Sequence, residues 1–243
     1  MKKKIGIIGG AGPMASSLFF QEIVRECQQK YGCSRDRDFP EIVLISYPFN
    51  PMLSVQDVAK NKAALVCQLQ ECFDRLSDQG MEIIVIACNT LHTIVDEIET
   101  DIPFFIRIDD VVAEYIQQKA LNRIVLFSTE TTAQLGLYCF YRRLEQGAQK
   151  VASSIIERVL AGVITDREIE DFCKIAQEIY ADSPFDGIIL GCTEFSQLYD
   201  ELLKNLNQIL PHVRLIDSTR LLARKAVAAS FLQAFVDRDD KIT

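Results

Sequence analysis

The chain has 243 residues, 49% hydrophobic and 25% charged, with 34 Asp+Glu against 26 Lys+Arg for a formal net charge of −8. That is apolar mass for one large α/β domain or two of about 120 residues each. The acidic balance, without a basic run beyond Lys2-Lys3-Lys4, excludes a nucleic-acid binder, and no apolar stretch reaches the roughly 18 residues that a membrane span needs.

The apolar run Ile5–Ile8 reads as a buried strand ending in Gly9-Gly10. It is too short for a signal-peptide core, so the chain is expected in the cytoplasm. Gly12 then caps a helix with Pro13 at its first position, running to about Gln29. Glu41–Tyr47 is the second strand, and Ser54 opens a long helix closed by Gly80. Ile83–Ala87 predicts a third strand, Thr90–Glu99 a short helix and Phe104–Ile108 a fourth strand. Asp109 is placed to cap a helix to about Lys119. Arg123–Phe127 is a strand, Thr131–Gln146 a helix and Val151–Ser154 a short strand. Thr165–Ala181 is the clearest helix of this half. Strand Asp186–Gly191, helix Glu194–Asn205, strand Val213–Ile216 and helix Thr219–Val236 complete the chain. Strands separated by helices imply parallel sheets wound by right-handed crossovers.

The halves overlay. Met81–Thr90, ending Ala87-Cys88-Asn89-Thr90, resembles Phe185–Glu194, ending Gly191-Cys192-Thr193-Glu194. Phe104–Asp109 pairs with Val213–Asp217, and Ile5–Gly9 with Ile124–Ser128. These matches predict an α/β protein of two pseudo-symmetric lobes, each a helix-wound parallel sheet, with the site in the cleft between them. The division expected is 1–109 plus 219–243 for one lobe and 110–218 for the other.

Ligands bind outside the carboxyl ends of parallel strands. Those ends gather Gly10, Cys88, Asn89, Thr90 and Asp109 from one lobe, and Ser128, Thr129, Cys192, Thr193, Glu194 and Asp217 from the other. One thiol then approaches the cleft from each side. Such a pair suits inversion at a tetrahedral carbon: one thiolate takes a proton and the other thiol returns one to the opposite face. Both cysteines precede predicted helices, whose N-termini are expected to lower their pKa. The remaining six cysteines, with no Cys-x-x-Cys spacing, read as small packing residues in a reducing compartment.

At this point the chain resembles the cofactor-independent aspartate/glutamate racemase family. The matching stretches are Gly6-Ile-Ile-Gly-Gly-Ala-Gly-Pro-Met-Ala15, Ala87-Cys-Asn-Thr-Leu-His92, Gly191-Cys-Thr-Glu194 and Asp217-Ser-Thr219. The resemblance implies Cys88 and Cys192 as catalytic acid/bases. It implies Asn89, Thr90, Ser128, Thr129 and Thr193 around the amino acid; from position alone, Gly10 at the first strand end is expected to join them, and His92 and Glu194, next to the cysteine motifs, to support them. It further implies no pyridoxal phosphate or metal, a homodimer, and aspartate or glutamate as first substrate. Two expected cations are missing. The region Tyr47-Pro-Phe-Asn-Pro-Met-Leu-Ser54 has no arginine for a side-chain carboxylate, and Leu160 stands where a lysine is common. Racemisation of a neutral or varied amino acid, or non-catalytic binding of a small ligand, are the alternatives.

Two motifs invite other readings. Gly10-Ala-Gly12-Pro-Met-Ala15 fits a dinucleotide turn, but the second strand ends Ile45-Ser-Tyr47 without the acidic residue that holds a ribose. Cys88 and His92 have the spacing of half a metal site, whereas the only other histidine, His212, follows Pro211 in a loop.

Overall fold

Short β-branched runs buried on both faces form the centre of each half, as parallel sheets require. The computed structural model describes residues 2–50, 55–102 and 104–239. Strands β1 (Ile5–Gly9), β2 (Ile42–Ser46), β3 (Ile83–Ile86) and β4 (Phe104–Phe105) form one sheet in the order β2-β1-β3-β4. Strands β5 (Ile124–Ser128), β6 (Arg142–Arg143), β7 (Gly187–Gly191) and β8 (Arg214–Asp217) form the other as β6-β5-β7-β8. All pairings are parallel. The two orders correspond strand for strand, which is the repeat expected from the matched motifs.

Helices α1 (Pro13–Tyr31), α2 (Val55–Asp78) and α3 (Ile108–Gln118) belong to the first half. They are followed by α4 (Glu130–Gln134), α5 (Gln146–Leu160), α6 (Asp166–Asp182), α7 (Thr193–Ser196), α8 (Tyr199–Ile209) and α9 (Ser218–Asp239). Alternate strand residues serve opposite layers. Ile5, Ile7, Ile83 and Val85 pack against Phe19 and Ile23 of α1 and Leu222 and Ala226 of α9. Ile8, Ile84 and Ile86 pack against Leu65, Leu69 and Phe73 of α2. In the second sheet, Val125, Phe127, Ile188 and Leu190 meet α5, α6 and α8. Ile124, Leu126 and Ile189 meet Val112 and Ile116 of α3, while Ile108 and Val111 of that same helix enter the core of the first sheet. Helix α3 thus serves both layers.

Local chemistry sets several boundaries. Gly12 (φ +89) and Pro13 start α1 as expected. Thr165 caps α6 in a reciprocal box with Glu168. Other expectations need correction. The segment after Cys88 is a 3-10 helix over Thr90–Glu97, and β4 stops after two residues because α3 already begins at Ile108. Arg107, not Asp109, is the N-cap of α3; Asp109 sits in the first turn and pairs with the Arg107 guanidinium. The helix expected over Thr131–Gln146 ends at Gln134, where Gly136 (φ +79) turns the chain. Val151–Ser154 lies inside α5, whose buried Ala152, Ile155, Ile156 and Val159 follow the helical period. The predicted helix over Glu194–Asn205 is split into α7 and α8. Ser54 lies outside the described residues. Cys27, Cys33 and Cys72 are buried packing residues, but Cys67 and Cys139 are exposed and Cys173 is half-buried. Among the described residues no helix is long and apolar enough to cross a membrane.

Candidate active site

The carboxyl ends of β1, β3, β5 and β7 face one cleft of about 590 Å3. Gly10, Gly12, Cys88, Asn89, Thr90, Thr129, Cys192, Thr193 and Glu194 all line it. The first turn depends on its glycines. Gly10 has φ +100, and a Cβ there would overlap the Tyr47 backbone. Its amide donates to Ser16 Oγ at 2.9 Å, and that hydroxyl donates to the Gly12 carbonyl at 2.9 Å. Gly10 therefore shapes the wall without a free amide. A Cβ on Gly12 would lie 2.6 Å from Glu194 Oε1, so this glycine makes room for a carboxylate from the other half.

Cys88 is 7% exposed and Cys192 5%. Their surroundings differ. The amides of Thr90 and Leu91 and the Thr90 hydroxyl are directed at Cys88 Sγ, an arrangement that favours a thiolate. Cys192 Sγ instead donates to Glu194 Oε2 at 2.8 Å, and Thr193 Oγ1 donates to the same oxygen at 3.2 Å. Burial outweighs the helix N-termini at both positions, contrary to the sequence expectation. The Cys88 thiol is pushed up to about 12, and Cys192 is raised well above its usual range by burial with the Glu194 carboxylate beside it. Each thiol is close enough to the opposite half to feel its charge: Glu194 acts on Cys88, and Cys88 on Cys192.

The polar groups between the thiols tie the two halves together. Asn89 Nδ2 donates to Ser218 Oγ at 3.2 Å, and Tyr138 Oη donates to Asn89 Oδ1 at 2.6 Å. Thr132 Oγ1 lies 2.9 Å from both Thr90 Oγ1 and Thr129 Oγ1, while the Thr90–Thr129 separation of 3.4 Å is long for a hydroxyl pair. Three hydroxyls with two short contacts leave one O–H, and with the Thr90 hydroxyl directed at Cys88 Sγ that one goes to the thiol. Ser128 is the exception among the expected residues. It is fully buried behind the wall, its hydroxyl donating to the Thr129 carbonyl.

His92 is also behind the wall, fully buried, with Nδ1 donating to the Cys88 carbonyl at 2.8 Å and its ring stacked on Phe105. Burial lowers its pKa to about 4, so the ring is neutral at pH 7. The Cys88–His92 spacing therefore anchors the Cys88 backbone. Among the described residues no three His, Cys, Asp or Glu side chains gather to hold a metal. Asp217 receives the Ser196 hydroxyl and the amides of Thr219 and Arg220, capping α9. Apart from Leu160, sequence reasoning missed one wall. Ser153, Ile156, Glu157 and Leu160 line the cleft from α5 at i, i+3, i+4 and i+7, a spacing hidden by assigning part of that segment to a strand.

Comparison with known proteins agrees with this geometry. The family model for Asp/Glu/hydantoin racemases matches residues 8–226. A broad-specificity amino-acid racemase of Bacillus subtilis is 26% identical over 92% of this chain and 96% of its own. A glutamate racemase of Aquifex pyrophilus is 29% identical over 68% of this chain and 65% of its own. An aspartate racemase of Picrophilus torridus has the same fold, with a TM-score of 0.78 at 22% identity over 94% of each chain. With two like sheets, one cleft between their carboxyl ends and a family match across nearly its whole length, the chain belongs to the Asp/Glu/hydantoin racemase family.

Proposed function

We propose that the cleft racemises a free amino acid, with Cys88 and Cys192 as the two acid/base groups. One observation carries this reading: buried thiols from equivalent strand ends of the two halves line the same cleft. In one direction a thiolate takes the Cα proton, forming S–H as C–H breaks. The opposite thiol then gives its proton to the other face of the carbanion. The remaining Asn89 N–H, together with the Thr90, Thr129 and Thr193 hydroxyls once they turn from their protein acceptors to the substrate, are the donors for the α-carboxylate, where negative charge accumulates in the transition state. The lobes divide at 1–109 plus 219–243 and 110–218, with this chemistry between them.

The two thiols have distinct resting roles in this reading. The N–H and O–H groups around Cys88 make it the thiolate former, while Glu194 keeps Cys192 protonated as the acid. Both thiol pKa values lie high, so the substrate ammonium supplies the positive charge that draws a proton off Cys88. The test is incorporation of deuterium at Cα in deuterated water, with Cys88→Ala and Cys192→Ala beside the parent. Exchange by the parent and loss of racemisation in each variant are expected. Full racemisation by either variant refutes the two-thiol mechanism.

A further inference from the structure

Every charged side chain on the described cleft wall is a carboxylate: Glu130, Glu157 and Glu194. Lys and Arg are absent from that wall among the described residues, and the sequence 51–54 beside Phe49 contains neither. The three carboxylates are not equivalent. Glu194 is engaged by Cys192 and Thr193, and Glu130 accepts from Gln134 Nε2 at 2.7 Å. The exposed Glu157 carboxylate has no hydrogen bond or ion pair among the described residues. It lies in the last turn of α5, at the negative end of the helix dipole. Ile156 and Leu160 flank it on the same helix face, and Phe49 adds apolar surface to the cleft lining.

We propose that this cleft selects an amino acid with a cationic side chain on an aliphatic stem, of the lysine or ornithine type, and that Glu157 is the specificity-determining residue. The inference rests on the racemase reading above and supplies its substrate class. The stem lies along Ile156, Leu160 and Phe49 with the charged end in water and facing Glu157, the usual compromise for a long basic chain. The α-carboxylate goes to the hydroxyls near the thiols. A second carboxylate on the side chain, as in aspartate or glutamate, meets like charge and no cation, which moves the substrate class away from the acidic amino acids expected from the resemblance.

The test measures Cα deuterium exchange separately with L-lysine, L-methionine and L-glutamate, for the parent, Glu157→Gln and Glu157→Lys. The expected result is kcat/KM for lysine at least about tenfold above that for glutamate. In Glu157→Gln the ratio of kcat/KM for lysine to that for methionine falls about tenfold, mainly through KM, and Glu157→Lys raises exchange of glutamate relative to lysine. Faster exchange of glutamate than lysine by the parent overturns the proposal, as does an unchanged lysine-to-methionine ratio in Glu157→Gln; both leave the racemase reading intact. No exchange with any amino acid overturns that reading and this one with it.

Discussion

Replacing His92 with asparagine should flatten the acid side of the stability profile. The neutral ring is buried, donates from Nδ1 to the Cys88 carbonyl, and has its pKa lowered from 6.5 to about 4. Because the folded value is the depressed one, the unfolded chain takes up the proton first as pH falls. The contribution is present above pH 6.5 and is lost as pH falls toward 4. Integrating between those two values from pH 7 to pH 5 gives a loss of about 2 kcal/mol. Asparagine keeps an amide donor for the Cys88 carbonyl but has no proton to gain. Urea unfolding at both pH values, with a constant m-value, measures the difference. The parent should lose about 2 kcal/mol more than His92→Asn over this interval. Equal losses in the two proteins would refute the claim that His92 is held neutral by burial.

Four further outcomes are expected. Glu194→Gln removes the carboxylate that raises the Cys192 thiol, so alkylation of Cys192 at pH 9, followed by peptide mass spectrometry, should accelerate while racemisation slows; unchanged alkylation refutes that role for Glu194. Gly12→Ala places a side chain at φ +89 against Glu194, so it should cost about 1–2 kcal/mol in urea and reduce exchange. Gly32→Ala, at φ +66 with open space around it, should cost stability alone. Cys27, Cys72 and Cys88 are each raised from 9.0 to about 12 by burial. Their contribution is fully present below pH 9 and is lost as pH rises toward 12, at about 1 kcal/mol per thiol by pH 10. Urea midpoints at pH 8 and pH 10, with Cys72→Ala flattening the difference, check this.

The central strands were legible because a strand buried on both faces is a continuous apolar run, and β1, β3, β5 and β7 all have that form. Edges were harder. β4 and β6 have two residues each, with no length over which alternation registers, and β6 is Arg142-Arg143, whose composition suggests no strand at all. Most of the candidate site followed from residues at strand ends, a position that topology places in a cleft whatever the loops do. The α5 wall did not follow, because Ser153, Ile156, Glu157 and Leu160 are a mixed set whose common face appears only when the helix is known. The high thiol pKa values were equally invisible: sequence announces a helix N-terminus, but how much water the fold removes from it is a property of the packed core.

The unequal surroundings of the two cysteines have a kinetic consequence. Mirror-image amino acids have the same free energy in water, so a racemase must obey an equilibrium constant of one. The ratio of kcat to KM is then identical for both enantiomers, however different the groups that meet them. A cleft in which Cys88 is cradled by amides while Cys192 faces a carboxylate cannot favour one direction. It can only bind one enantiomer more tightly and turn it over more slowly by the same factor. The lopsidedness sets which hand of the amino acid occupies the enzyme when both are present in equal amounts.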